Sequence, residues 1–124
     1  EGMSLEFHFV ALLVAAALFF LHEMDAVRCH EWRIFPILEK VGERTAMLWF
    51  FWLHVPLFGL LICGVASAYA GSNLFSLLFG GFCVVHGFLH WLYERHPRNE
   101  FRNPLSRSII WSCAAAGLLT ALTA

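Results

Sequence analysis

Charge is what this sequence has least of. Only 14% of its 124 residues are Asp, Glu, Lys or Arg, against about a quarter in an ordinary soluble domain. Between Arg44 and Glu94 there is none at all. One membrane helix needs about 20 residues, so a run that long predicts two crossings. No Lys or Arg precedes the first apolar stretch, which argues against the basic start of a cleaved signal peptide and for a retained span. The net charge of -1 supplies no basic field, which excludes nucleic acid as a partner. No two cysteines are spaced C-x-x-C. Cys29, Cys63, Cys83 and Cys113 are scattered, three of them inside apolar runs, and read as small buried packing residues rather than a disulfide frame or a zinc knuckle. A strong internal repeat and a low-complexity linker are lacking too.

What fills the sequence instead is apolar: 60% hydrophobic residues, with 13 Phe and 5 Trp. Glu1-Gly2 ahead of Met3 reads as a cloning remnant, leaving 3–124 as one domain. The expected fold is all-α: an integral membrane four-helix up-down bundle, with spans at about 5–21, 46–70, 74–92 and 104–124. Ala70-Gly71-Ser72-Asn73 supplies the reversal between the second and third spans. The first helix continues toward Arg33 until Pro36 stops it. Pro104 opens the fourth, where Ala114 to Gly117 allow close packing.

All eight Lys and Arg (Arg28, Arg33, Lys40, Arg44, Arg95, Arg98, Arg102 and Arg107) fall in or beside the first and third connections. By the positive-inside rule that side is cytoplasmic and both termini lie outside. Trp32, Trp49, Trp52 and Trp91 gather toward the same side as an interfacial belt. Residues 35–41 mix apolar and charged types and are expected to lie along that surface, touching membrane lipid.

Seven histidines stand out against this background, because ionisable groups inside a bilayer are costly and usually functional. His86 and His90 are spaced i, i+4, one turn apart on one helix face, as two imidazoles on one metal require. His54 lies on the second span at a matching depth. His22 and Asp25, at i, i+3, bring a further imidazole and a carboxylate from the first. The set His22, Asp25, His54, His86 and His90 mixes nitrogen and oxygen donors, which suits zinc, iron or manganese better than copper(I). Pro56, two residues after His54, is expected to kink the second span and open room for a ligand. His30, Glu31 and Ser108 are possible additions to the site. His8 reads as structural and His96 as interfacial.

The stretch Leu21-His22-Glu23-Met24-Asp25-Ala26-Val27-Arg28-Cys29-His30-Glu31-Trp32-Arg33 resembles the signature of a family of small, uncharacterised bacterial membrane proteins. Members share an H-E-[LM]-D-A-V-x-x-H-E-W-R block, then H-x-P and H-x-x-x-H-W. His54-Val55-Pro56 and His86 through Trp91 match the latter two. The resemblance covers nearly the whole chain. It implies a four-span protein of the bacterial inner membrane and supplies no reaction. A looser likeness connects the chain to histidine-box membrane metalloenzymes, the lipid desaturases and hydroxylases, and to seven-span zinc amidases. Both are larger, and most of their motifs are missing here.

The leading expectation is a metal-dependent membrane enzyme acting on a lipid-soluble small molecule near the cytoplasmic face, either a hydrolase or a di-iron-type oxidase. His22, His54, His86 and His90 are the expected ligands. Asp25 is a fifth ligand or the group that orients a water on the metal, and Glu23 or Glu94 is a proton shuttle. One alternative is a b-type haem electron carrier with His54 and His86 or His90 as axial ligands. Another is a non-catalytic membrane partner or small transporter working as a homo-oligomer.

Overall fold

Lipid offers a backbone no hydrogen bonds, so long apolar segments satisfy their own as helices. The computed structural model describes residues 2–124, with side chains from Phe7 onward; Glu1 of the expected remnant lies outside the described residues. Four helices follow in order: α1 (Gly2–Arg28), α2 (Glu43–Tyr69), α3 (Asn73–Leu92) and α4 (Pro104–Thr123). Among the described residues there is no strand. Each helix is long and apolar enough to cross a membrane, since 20 residues already reach about 30 Å. Their outer surfaces stay apolar: Val14, Trp52, Leu60, Leu78 and Leu122 all lie exposed.

The end of α1 departs from expectation. It stops at Arg28, well before Pro36. His30 takes a left-handed backbone conformation (φ 52°), which interrupts the helical hydrogen-bond ladder without any proline. Two short 3-10 turns follow, Glu31–Arg33 and Leu38–Lys40. Burial explains the fold-back: Trp32, Ile34 and Leu38 turn under the helix ends into a cluster with Ala26, Phe50 and Phe101. Phe35, Ile37 and Val41 stay exposed on the outside of the same segment. That is an apolar surface suited to a membrane interface.

The α2–α3 reversal needs a residue with positive φ, and Gly71 (φ 100°) provides it. At the start of α4, the Asn103 side chain accepts from the Ser106 backbone N–H at 2.9 Å, and Pro104 sits in the first turn.

Between helices in lipid, packing rather than hydrophobicity drives association, so small residues set the distances. α4 lies closely against α3 because Gly80 and Gly117 face each other there: a Cβ at Gly80 would meet the Gly117 carbonyl, and one at Gly117 would meet Cys83. A Cβ at Gly87 would press on Ala114. α2 has fewer buried positions than the others; Ala46, Phe50, Leu61 and Gly64 are its inward residues. Of the cysteines, Cys29, Cys83 and Cys113 are buried as expected, whereas Cys63 on α2 is exposed on the apolar exterior.

At the end carrying the termini, His8 ties three helices together. The Thr123 hydroxyl donates to the Leu119 carbonyl at 2.8 Å, so it accepts from His8 Nδ1–H at 3.1 Å. His8 Nε2 then accepts from the Ser76 hydroxyl at 2.9 Å. Both ring nitrogens are satisfied. The buried core divides into two apolar clusters, one around Leu12, Phe19, Phe79 and Cys83, the other around Trp32, Phe50 and Phe101. On α1, His22 lies between them, three residues after Phe19 and four before Ala26.

Candidate metal centre

His22 is completely buried (0% exposed), and both of its ring nitrogens lack a hydrogen-bond partner. It points at the one-turn pair on α3: its ring centroid lies 4.5 Å from that of His86 and 4.7 Å from that of His90. His86 and His90 are themselves 4.6 Å apart, as i, i+4 neighbours should be. The 3-10 turn after α1 brings a carboxylate to the same place, with Glu31 Oε1 3.3 Å from His90 Nε2. One ligand atom from each of His22, Glu31, His86 and His90 lies within 4.8 Å of every other.

Metal–nitrogen bonds of about 2.1 Å in a tetrahedron place ligands about 3.4 Å apart. Drawing four such side chains together therefore needs a shift of about 0.7 Å each from the widest separation present. Three neutral imidazoles and a carboxylate are a donor set for zinc, iron or manganese. The orphaned nitrogens of His22 are what a metal would satisfy, so the residues fit a divalent ion. Phe101 closes the loop side: it stacks on His22 (5.7 Å between centroids) and meets His90 edge-on at 4.7 Å.

Glu31, His86 and His90 also line a cavity of about 460 Å³ between α2 and α3. Its walls are otherwise mostly apolar: Phe19, Ile34, Phe35, Pro36, Phe50, Leu53, Leu57, Phe82 and Leu89. Leu53, Phe82 and Leu89 are substantially exposed on the outer surface, so the cavity lies beside the helices' lipid-like exterior. Pro56 lies within α2, which runs on through it, between the cavity-lining His54 and Leu57. Such an apolar hollow with a few convergent polar groups has the character of a small-molecule site.

His54 and Glu23 face the same cavity as a separate pair, Nε2 to Oε2, at 2.5 Å. The other nitrogen, Nδ1, donates to the Phe50 carbonyl at 2.6 Å.

The other expected site residues lie elsewhere. Asp25 turns away from the imidazoles, its Oδ1 accepting from Arg28 Nε at 2.7 Å while Oδ2 stays buried without a partner. Arg28 also reaches Ser106 and Asn103 on the α4 side. This network explains the carboxylate's direction: a neighbouring guanidinium at i+3 outcompetes neutral imidazoles for it. Burial pushes the Cys29 thiol in the same network above its usual range, which keeps it protonated and a poor ligand. Glu94 pairs with Arg107 on the surface. His30 bonds Glu100 at 2.9 Å, and Ser108 donates to the Pro104 carbonyl at 2.7 Å. Phe101 escaped sequence reasoning altogether. Its one available signal was an aromatic residue set among Asn99, Glu100 and Arg102 in an otherwise polar loop.

No curated protein and no solved structure matches the chain. Residues 8–124 do match a family model, described as "Family of unknown function (DUF6713)", and the chain belongs to that family.

Proposed function

We propose that this protein is a membrane metalloenzyme whose ion is held by His22, His86, His90 and Glu31 and whose substrate occupies the adjoining apolar cavity. The observation that carries the reading is His22, fully buried, unpartnered at both nitrogens and faced by two more imidazoles. Buried polar groups without partners cost stability, and where they persist they call for an explanation. A divalent ion bound there polarises a substrate carbonyl or makes water nucleophilic near neutral pH.

The chain's own residues do the rest. Phe101 keeps water off the loop side of His22 and His90. The apolar walls select a lipid-soluble small molecule, and Glu31, His86 and His90, which would hold the ion, stand on the same cavity wall. Zinc implies hydrolysis; iron implies an oxidase. The basic connections support a cytoplasmic side for the site's end of the bundle by the positive-inside rule, and with a bacterial inner membrane as the host the substrate enters from the inner leaflet. The haem alternative loses support at His54, whose two nitrogens are already engaged by Phe50 and Glu23.

Metal analysis of the detergent-purified protein tests the proposal, with a His86→Ala/His90→Ala variant beside it. Stoichiometric zinc, iron or manganese that disappears in the variant is the expected result. A variant retaining the wild-type metal content overturns it.

A further inference from the structure

The cavity carries its polar groups at one level, with apolar wall on both sides of that level along the bundle. Glu23 follows His22 on α1 and pairs with His54, so this pair stands at the height of the imidazoles that His22 meets. Toward the middle of the bundle, Phe19 and Phe82 flank His86, with ring centroids 6.1 and 5.4 Å away. Toward the end with the basic connections, Ile34 and Phe35 continue the wall beyond Glu31. Along α2 the order repeats: Phe50 lies before His54 and Leu57 after it.

Nothing on that wall is built to hold an anion. Among the described residues no Lys or Arg lines the cavity. Its two acidic side chains, Glu23 and Glu31, oppose a negative group. Its imidazoles are committed, His54 to Glu23 and His86 and His90 to the proposed ion. An ionised headgroup would lose its water there with no charged side chain as partner, which is costly. An uncharged carbonyl escapes that cost and still offers the ion an oxygen to polarise. At about 30 Å³ for each water-sized group, the cavity of about 460 Å³ encloses about 15 heavy atoms.

We propose that the substrate is an uncharged, lipid-soluble molecule whose ester or amide lies inside the chain, with an apolar arm on either side. An amphiphile that ends in a phosphate or carboxylate is the wrong class. The carbonyl stands at the level of the imidazoles, one arm beside Phe82 and Leu57 and the other beside Ile34 and Phe35. This deepens the metalloenzyme reading above and rests on it.

Native mass spectrometry of the detergent-purified protein after loading with Zn²⁺ tests the assignment. The probes are N-hexyloctanamide, which is of about the enclosed size, and two anions, dodecyl phosphate and dodecanoate. Wild type should bind the amide, and both anions at least about tenfold more weakly. Leu57→Trp and Leu53→Trp fill the cavity and should lose the amide while keeping wild-type zinc. The pair keeps the test decisive if one variant does not purify. Leu60→Trp, on the exposed outer surface, should keep both amide and zinc. An anion that binds as tightly as the amide, or amide binding that survives the filling variants, overturns the substrate class while bound zinc leaves the ion site standing. A wild type that binds no zinc overturns the metalloenzyme reading, and this assignment with it.

Discussion

At His22 an imidazole sits fully buried without a partner, a situation that costs about 1–3 kcal/mol when nothing compensates it. A residue kept there for metal works against the stability of the metal-free protein. His22→Leu should therefore abolish metal binding and yet stabilise the metal-free protein by about 1–3 kcal/mol in detergent unfolding. A metal-free His22→Leu protein less stable than wild type would make His22 a packing residue. Phe101 acts as the lid on the same imidazoles. Phe101→Ala should cost about 3 kcal/mol as a large-to-small change at a buried position. It should also speed metal loss to a water-soluble chelator by at least about tenfold, equal to about 1.4 kcal/mol of lost barrier. Unchanged chelation kinetics would move the water barrier elsewhere. Residue types alone disclosed His22, His86 and His90 as candidates, because intramembrane histidines at helical spacing are expensive. They disclosed neither which carboxylate joins them nor Phe101, since both reach the site from irregular backbone.

Helix packing is governed by where side chains are missing. Gly117 and Gly80 hold α3 and α4 in close contact, and a Cβ at Gly117 collides with Cys83. Gly117→Val should destabilise by about 1–3 kcal/mol or more through overpacking. Because α3 carries His86 and His90 while α4 and α1 back the site, it should lower metal occupancy as well. Gly59→Val, at a position open for at least 4 Å, is the control that should bind metal normally. At the opposite end, His8→Ala removes the tie to Ser76 and Thr123, with an expected cost of about 1–3 kcal/mol for the hydrogen-bond partners left buried. Its metal content should equal wild type, and a loss of metal there would mean that the far end controls the site. The small residues of α4 were readable as a close-packing face. The end of α1 was not, because what stops it is the burial of Trp32, Ile34 and Leu38 rather than a proline.

Across the whole molecule the two basic connections meet at one end, joined by Arg33 to Glu100 at 3.3 Å and by His96 to Glu39 at 3.6 Å. The group of His22, Glu31, His86 and His90 that could hold a metal sits just inside that end, between the two apolar clusters. Its imidazoles must be neutral to ligate, so protons compete with the ion. Metal occupancy should hold at pH 8 and fall on acidification, because each ring that takes a proton is lost as a ligand. Occupancy that stays unchanged to the lowest pH at which the fold survives would argue against an imidazole-dominated site.

The amino-acid sequence by itself determined the element order and the apolar exterior. A chain with no charge from Thr45 to Tyr93 has few ways other than helices to satisfy its backbone in lipid. It also determined the pairing of His86 with His90, a consequence of helical periodicity alone. Only the tertiary structure decided the rest of the site. Arg28 takes Asp25 out of the ligand group by pairing with it, the fold-back at His30 carries Glu31 in, and Glu23 claims His54 across the α1–α2 gap. Those outcomes depend on which side chains meet between helices, and spacing along one helix carries no information about that.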